Sequence, residues 1–104
     1  MTIASQPFAV EVTSGASGLV VRLAGELDLA TVPDLDACLA ALDADIVVDM
    51  AAVTFIDSTG LDGLIVAHKQ AAQRCRSFVL RSPTEQVTKV LRATGVDQVL
   101  TVEW

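Results

Sequence analysis

The sequence predicts a single α/β domain built on a mixed β-sheet, and three features of its 104 residues carry that prediction. Composition is the first: 52% hydrophobic and 19% charged residues, in a length that suits one domain spanning 1–104. The second is a period-two apolar pattern repeated across a Gly/Ser cluster near the start, which reads as a hairpin. The third is the alternation that follows, in which short apolar runs exchange with helical stripes. An N-terminal hairpin followed by alternating strands and helices implies a mixed sheet covered by helices.

The elements follow in order. Phe8, Val10 and Val12 alternate with Ala9, Glu11 and Thr13, as in a half-buried strand. Ser14-Gly15-Ala16-Ser17-Gly18 is a turn cluster, and Leu19 to Ala24 reads as the returning strand. Gly25-Glu26-Leu27-Asp28 is expected to form a bend. Thr31 and Asp34 resemble a capping box with Pro33 in the first turn, and Val32, Leu35, Leu39 and Leu42 share one helical face. Asp45-Ile46-Val47-Val48-Asp49 reads as a short central strand flanked by acids. A second helix is expected from Ser58 to about Arg76, with Leu61, Leu64, Ile65, His68, Ala72 and Cys75 near one stripe. Ser77 to Arg81 is a further strand. In Ser82-Pro83-Thr84-Glu85, Ser82 is expected to cap a third helix, with Pro83 at its first position and Gly95 as its stop. Val99 to Val102 is a last strand.

Composition also bounds function. Three Phe, one Trp and no Tyr leave an aliphatic core. No apolar run approaches the roughly 18 residues that a membrane span needs, and Met1 to Pro7 lack the basic and apolar regions of a signal peptide. A cytoplasmic protein without membrane insertion is expected. The net charge of −6 disfavours nucleic acid as a partner, because that binding displaces counterions with a basic face. The charge is uneven: residues 1–62 hold ten acids and one base, residues 63–104 three acids and six bases. Two readings fit, an acidic face for a basic partner or acids at helix starts and bases at helix ends. Cys38 and Cys75 have no CxxC spacing and no His cluster nearby, so no metal or other cofactor is expected. Reduced thiols are the expectation, with a disulfide between neighbouring helices as the alternative.

The segment Thr54-Phe55-Ile56-Asp57-Ser58-Thr59-Gly60-Leu61 is where the sequence stops looking generic. Asp57 suits the N-cap of the second helix, which makes Ser58 its first residue, with a surface hydroxyl at the positive end of the dipole. Gly60 and Gly63 each cost a helix about 1 kcal/mol against Ala. They either open the backbone to a docking protein or permit tight packing against the neighbouring bend. A catalytic serine fails on distance: ten helical residues separate Ser58 from His68, the sole histidine, by about 15 Å, whereas a general base needs about 3 Å. No catalytic residue is assigned. Asp49 invites comparison with a receiver-type phosphoacceptor, but such a site needs further carboxylates for a metal, and the first strand ends in Thr13 and Ser14.

With Gly25-Glu26-Leu27-Asp28 and Val90-Leu91-Arg92-Ala93-Thr94-Gly95-Val96-Asp97, the Asp57-Ser58-Thr59-Gly60-Leu61 element resembles the bacterial anti-sigma factor antagonists of the STAS-domain family. The resemblance covers a core of about 8–102 and implies a STAS-like fold. It further implies a non-enzymatic, partner-switching protein. The unphosphorylated form binds an anti-sigma factor and frees a sigma factor; the anti-sigma factor is a serine kinase that phosphorylates the antagonist, and a phosphatase resets it. By position, Ser58 is the phosphoacceptor, and Asp28, Asp57, Ser58, Thr59, Gly60 and Leu61 form the partner-binding set. Thr59 stands where the family often has a second Ser. The family also contains stressosome subunits and soluble subunits of lipid-transport complexes, so a protein-binding scaffold is the alternative.

Overall fold

The computed structural model describes residues 8–16 and 18–104. Ser17 of the expected turn and the opening residues 1–7 lie outside the described residues. Among the described residues, five strands form one sheet in the order β1 (Ala9–Ser14), β2 (Leu19–Leu27), β3 (Ile46–Ile56), β4 (Phe78–Arg81) and β5 (Thr101–Glu103). The β1–β2 hairpin is antiparallel and the other three pairs are parallel, giving the predicted mixed sheet. Helices α1 (Val32–Ala40), α2 (Ser58–Gln73) and α3 (Glu85–Thr94) cross between consecutive parallel strands, and a 3-10 turn at Val96–Gln98 leads into β5. Right-handed crossovers that all step in one direction put every helix on the same face of the sheet. The core follows from that: Val21, Leu23, Leu27, Val48, Met50 and Leu80 from the strands meet Leu35, Leu64, Val87 and Leu91 from the helices.

Several boundaries differ from expectation, each for a physical reason. β2 runs on through Gly25, Glu26 and Leu27, and the bend begins only at Asp28. Leu27 is fully buried and pairs with Ile56, so the strand holds to its end. β3 does not stop at Asp49 but continues to Ile56. Two register shifts against β2, between Arg22 and Ala24 and between Gly25 and Glu26, accommodate the extra residues. Their polar groups are satisfied from outside the ladder: Asp49 Oδ1 accepts from the Ala51 N–H at 3.0 Å, and the Thr84 hydroxyl donates to the Val53 carbonyl at 2.9 Å. Gly25 takes φ +97°, a left-handed value suited to glycine. The second helix ends at Gln73, short of Arg76, and the last strand starts at Thr101 because the 3-10 turn takes up the preceding residues.

Two caps also differ. Thr84, not Ser82, caps α3, accepting from the Val87 N–H at 3.4 Å, so Pro83 precedes the helix. Ser82 is drawn away at φ +54° by its own N–H bond to the Glu103 carbonyl. Thr31 precedes α1 without a side-chain capping bond, its hydroxyl donating instead to the Glu26 carbonyl at 2.7 Å. Pro33 does sit in the first turn, and Gly95 ends α3 in the left-handed conformation.

The helix-free face of the sheet carries a charge row in register across all five strands: Glu11, Arg22, Asp49, Arg81 and Glu103. Asp49 at its centre is buried and paired with both arginines, to Arg81 at 3.2 Å and to Arg22 at 3.5 Å. Burial is the largest single influence on its carboxyl and pushes it up. The Ala51 N–H and the guanidinium groups of Arg81 and Arg22 together outweigh burial and hold the group below the usual carboxylate range. Opposite charges on neighbouring strands thus add a lateral tie to three parallel strands.

A carboxyl lowered in the folded state stabilises fully above its unfolded value of about 3.9, and that stabilisation is lost as pH falls through the folded value. Asp49→Asn should therefore be less stable than wild type at pH 7 by about 2 kcal/mol, because two arginines lose their shared counter-charge. The gap should narrow as pH falls below the unfolded value and through the lowered folded one, because wild type then becomes protonated as well. Urea unfolding across that range checks both statements; a gap independent of pH would dismiss the ion-pair explanation.

Candidate functional site

β2 and β3 end side by side, with Leu27 opposite Ile56, and the chain leaves both strands at the same edge. After Leu27 it enters a turn held from within. The Asp28 carboxylate accepts from the N–H groups of Ala30 at 3.0 Å and Thr31 at 3.2 Å, while the Asp28 N–H donates to the Thr31 hydroxyl at 2.9 Å. This is the geometry through which Asp replaces a backbone turn with its side chain. Asp28 therefore shapes the loop, and Leu29 stands at its tip, 73% exposed. Sequence periodicity does not single out Leu29, which stands beside Ala30 in a turn and on no strand or helix stripe.

After Ile56, Asp57 takes extended backbone angles and caps α2, its Oδ1 accepting from the Gly60 N–H at 2.8 Å. Ser58 is then the first helical residue and is exposed, as the capping argument requires. Thr59 beside it is half-buried. Gly60 and Leu61 lie beneath the surface, both buried. The two loops are locked together: the Asp57 N–H donates to the Leu27 carbonyl at 3.2 Å, and a Cβ on Gly60 would collide with that same oxygen and lie 2.9 Å from Ile56 Cγ1. The expectation of an open backbone at Gly60 thus gives way to close packing. At Gly63 a Cβ would approach Val32 Cγ1 at 3.2 Å, a milder constraint from α1.

Other segments singled out from sequence lie elsewhere. α3 begins beside Val53, bound through Thr84, and its ten residues carry Gly95 about 15 Å away along the axis. Val90 to Asp97 therefore does not join the Ser58 end. His68 lies on the unbroken helix α2, ten residues from Ser58, and its ring meets Phe78 edge-on at 6.4 Å. Its Nδ1 is buried without a hydrogen-bond partner among the described residues, so it packs rather than serving Ser58 as a base. Asp49 is held by Arg22 and Arg81, so its carboxylate is already paired with two cationic side chains. Cys38 is half-buried and Cys75 exposed, and neither is in a disulfide. Among the described residues no helix is long and apolar enough to cross a membrane.

The electrostatics around Ser58 are one-sided. Asp57 precedes it and Asp62 follows one turn on, while Asp34 and Asp36 are exposed on α1, which carries no base. The unpaired N–H groups of the helix start offset part of this field. The arrangement offers an exposed hydroxyl on a rigid base, with acidic side chains around it.

Gly60→Ala should destabilise the protein by about 3 kcal/mol through overpacking, a fall in Tm of roughly 12–24 °C for a domain this small. Gly63→Ala should be close to neutral, helix propensity offsetting a contact that yields by a few tenths of an ångström. Asp57→Ala should cost about 1 kcal/mol from the lost cap. Thermal denaturation of the three variants checks the ranking, and a native-like Gly60→Ala would refute the packing assignment.

Comparison with known proteins agrees with this geometry. The family model described as "Mlab, STAS domain" matches residues 10–102. The anti-sigma-B factor antagonist of Staphylococcus epidermidis is 29% identical over 86 residues, covering 79% of this chain and 80% of the relative. The crystal structure of an anti-sigma factor antagonist from Mycobacterium paratuberculosis superposes with a TM-score of 0.83 at 23% identity, covering 96% of this chain and 90% of the other. The Bacillus cell fate determinant SpoIIAA in its phosphorylated form superposes with a TM-score of 0.69 at 20% identity, covering 94% of this chain and 92% of the other. A helix-on-one-face mixed sheet, the Asp57-capped helix start and a family match over nearly the whole length lead to one assignment: the chain belongs to the STAS-domain family.

Proposed function

We propose that this chain is an anti-sigma factor antagonist that acts by binding rather than catalysis, and that phosphorylation of Ser58 switches the binding off. The observation that carries the reading is the exposed Ser58 hydroxyl at the first position of α2, on a base fixed by Leu27, Asp57 and Gly60. The relatives support the partner class, being antagonists of anti-sigma factors, and SpoIIAA has been solved in a phosphorylated form. In this reading the partner is a cytoplasmic anti-sigma factor that is itself a serine kinase, and a phosphatase restores the binding form. Asp28, Asp57 and Thr59 belong to the docking surface with Ser58, while Gly60 and Leu61 support it from beneath.

Electrostatics explain the switch. A phosphate adds about −1.5 to −2 charges at neutral pH, between Asp57 and Asp62. In the free protein the helix N-terminus accommodates an anion, so the fold is little disturbed. In the complex the added charge is desolvated against a partner surface shaped for a hydroxyl. An uncompensated charge there costs on the order of 2–5 kcal/mol, about 30-fold to several thousand-fold in Kd.

Ser58→Ala should bind the anti-sigma factor nearly as well as wild type and resist phosphorylation by it. Ser58→Asp should bind at least 30-fold more weakly while melting within a few degrees of wild type. Calorimetric titration, thermal denaturation and phosphate incorporation test these outcomes together. Equal affinity of the two variants would sink the switch. Incorporation into Ser58→Ala at the wild-type level would move the site to Thr59. Recovery of membrane transport subunits in place of an ATP-binding kinase would favour the scaffold reading.

A further inference from the structure

We propose that Leu29 is an apolar anchor that seats in a hydrophobic pocket, rimmed by basic groups, on the same anti-sigma partner. This rests on the docking reading of the Ser58 end. Among the described residues Leu29 is the most exposed large hydrophobic side chain, at 73%. Single exposed leucines are common on protein surfaces, so exposure alone decides nothing. What distinguishes Leu29 is how it is held and where.

The turn beneath it is ordered without any help from its side chain. Asp28 Oδ1 accepts from Ala30 and Thr31, the Thr31 hydroxyl bridges to the Glu26 carbonyl, and the Thr31 and Val32 N–H groups donate to the Asp28 carbonyl. Any residue able to adopt this turn would fold as well, and a polar one would be better hydrated. The backbone under Leu29 is therefore already ordered before a partner arrives, which lowers the entropic cost of docking. Trp104, also 57% exposed, differs in that Arg92 lies 4.6 Å over its ring.

Position supplies the second argument. Leu29 lies two residues beyond Leu27 and Ser58 two residues beyond Ile56, and Leu27 and Ile56 are paired across adjacent parallel strands. Neighbouring strands are about 4.8 Å apart, so Leu29 and Ser58 leave the sheet at the same edge, within the span of one partner surface. Charge specifies the rim of the pocket. Asp34, Asp36 and Asp62 are exposed on the adjoining helices, and α1 offers no base to neutralise them. Basic groups on the partner would meet this field, while the Leu29 side chain fills the apolar centre.

The test uses the full chain and an anti-sigma factor kinase isolated from the native cytosol by its binding to the wild type, comparing wild type, Leu29→Ala, Leu29→Met and Ser58→Asp. Leu29→Ala should raise Kd about 10- to 100-fold, the loss expected when a leucine no longer fills a pocket. Leu29→Met, similar in volume, should stay within about threefold. Tm of both Leu29 variants should match wild type within about 2 °C, because the side chain is exposed. With the chain as kinase substrate, Leu29→Ala should raise KM and leave kcat unchanged. Wild-type affinity in Leu29→Ala, with Ser58→Asp still impaired, would overturn the anchor and leave the switch standing. A large drop in Tm for Leu29→Ala would assign the residue to the fold and overturn the proposal. Failure of the wild type to bind any anti-sigma kinase would overturn both readings.

Discussion

The Leu27 carbonyl receives the Asp57 N–H and occupies the space where a side chain at Gly60 would begin. This one close approach fixes the end of β2 against the start of α2, and the rest of the Ser58 end is arranged around it. The Asp57 cap is reached only because the chain is turned at this point, and the Asp28 turn begins one residue after the same carbonyl. The Ser58 hydroxyl thus sits on backbone that cannot shift without unpacking the sheet edge. Its rigidity comes from packing beneath the surface at Gly60, and its accessibility from its place as the first, exposed residue of α2.

The sheet imposes a second constraint. Because consecutive crossovers step in one direction, the helices cover a single face and leave the other to be stabilised by its own side chains. The row Glu11, Arg22, Asp49, Arg81 and Glu103 does this with alternating charge, each member opposite its counter-ion. The same arrangement allows a buried carboxylate inside the longest strand. Asp49 both neutralises the two arginines and satisfies the Ala51 N–H at a register shift, so one side chain resolves an electrostatic and a hydrogen-bonding problem together.

These two constraints divide the molecule. The helix-covered face holds the apolar core, the helix-free face is held by charge, and the edge where β2 and β3 end presents polar and apolar groups on fixed turns. Function on this reading is concentrated where the backbone is most tightly held and the side chains least so. The proposed covalent change at Ser58 would alter the surface potential without asking the fold to rearrange.

The sequence by itself determined the class of fold, the strand–helix order, the Asp57 cap and the exposed Ser58, because these depend on local periodicity and capping chemistry within a few residues. Gly95 as a helix stop was legible for the same reason. Tertiary structure alone decided the length of β3, since Asp49 reads as a strand end until two arginines from neighbouring strands neutralise it. It also decided that Thr84 caps α3 while Ser82 turns toward Glu103, and that Thr31 bonds to Glu26 rather than its own helix. Gly60 is the clearest case. Its sequence context permitted either an open docking turn or a close approach, and only the Leu27 carbonyl, thirty-three positions away in the chain but in contact through a paired strand, selects the second.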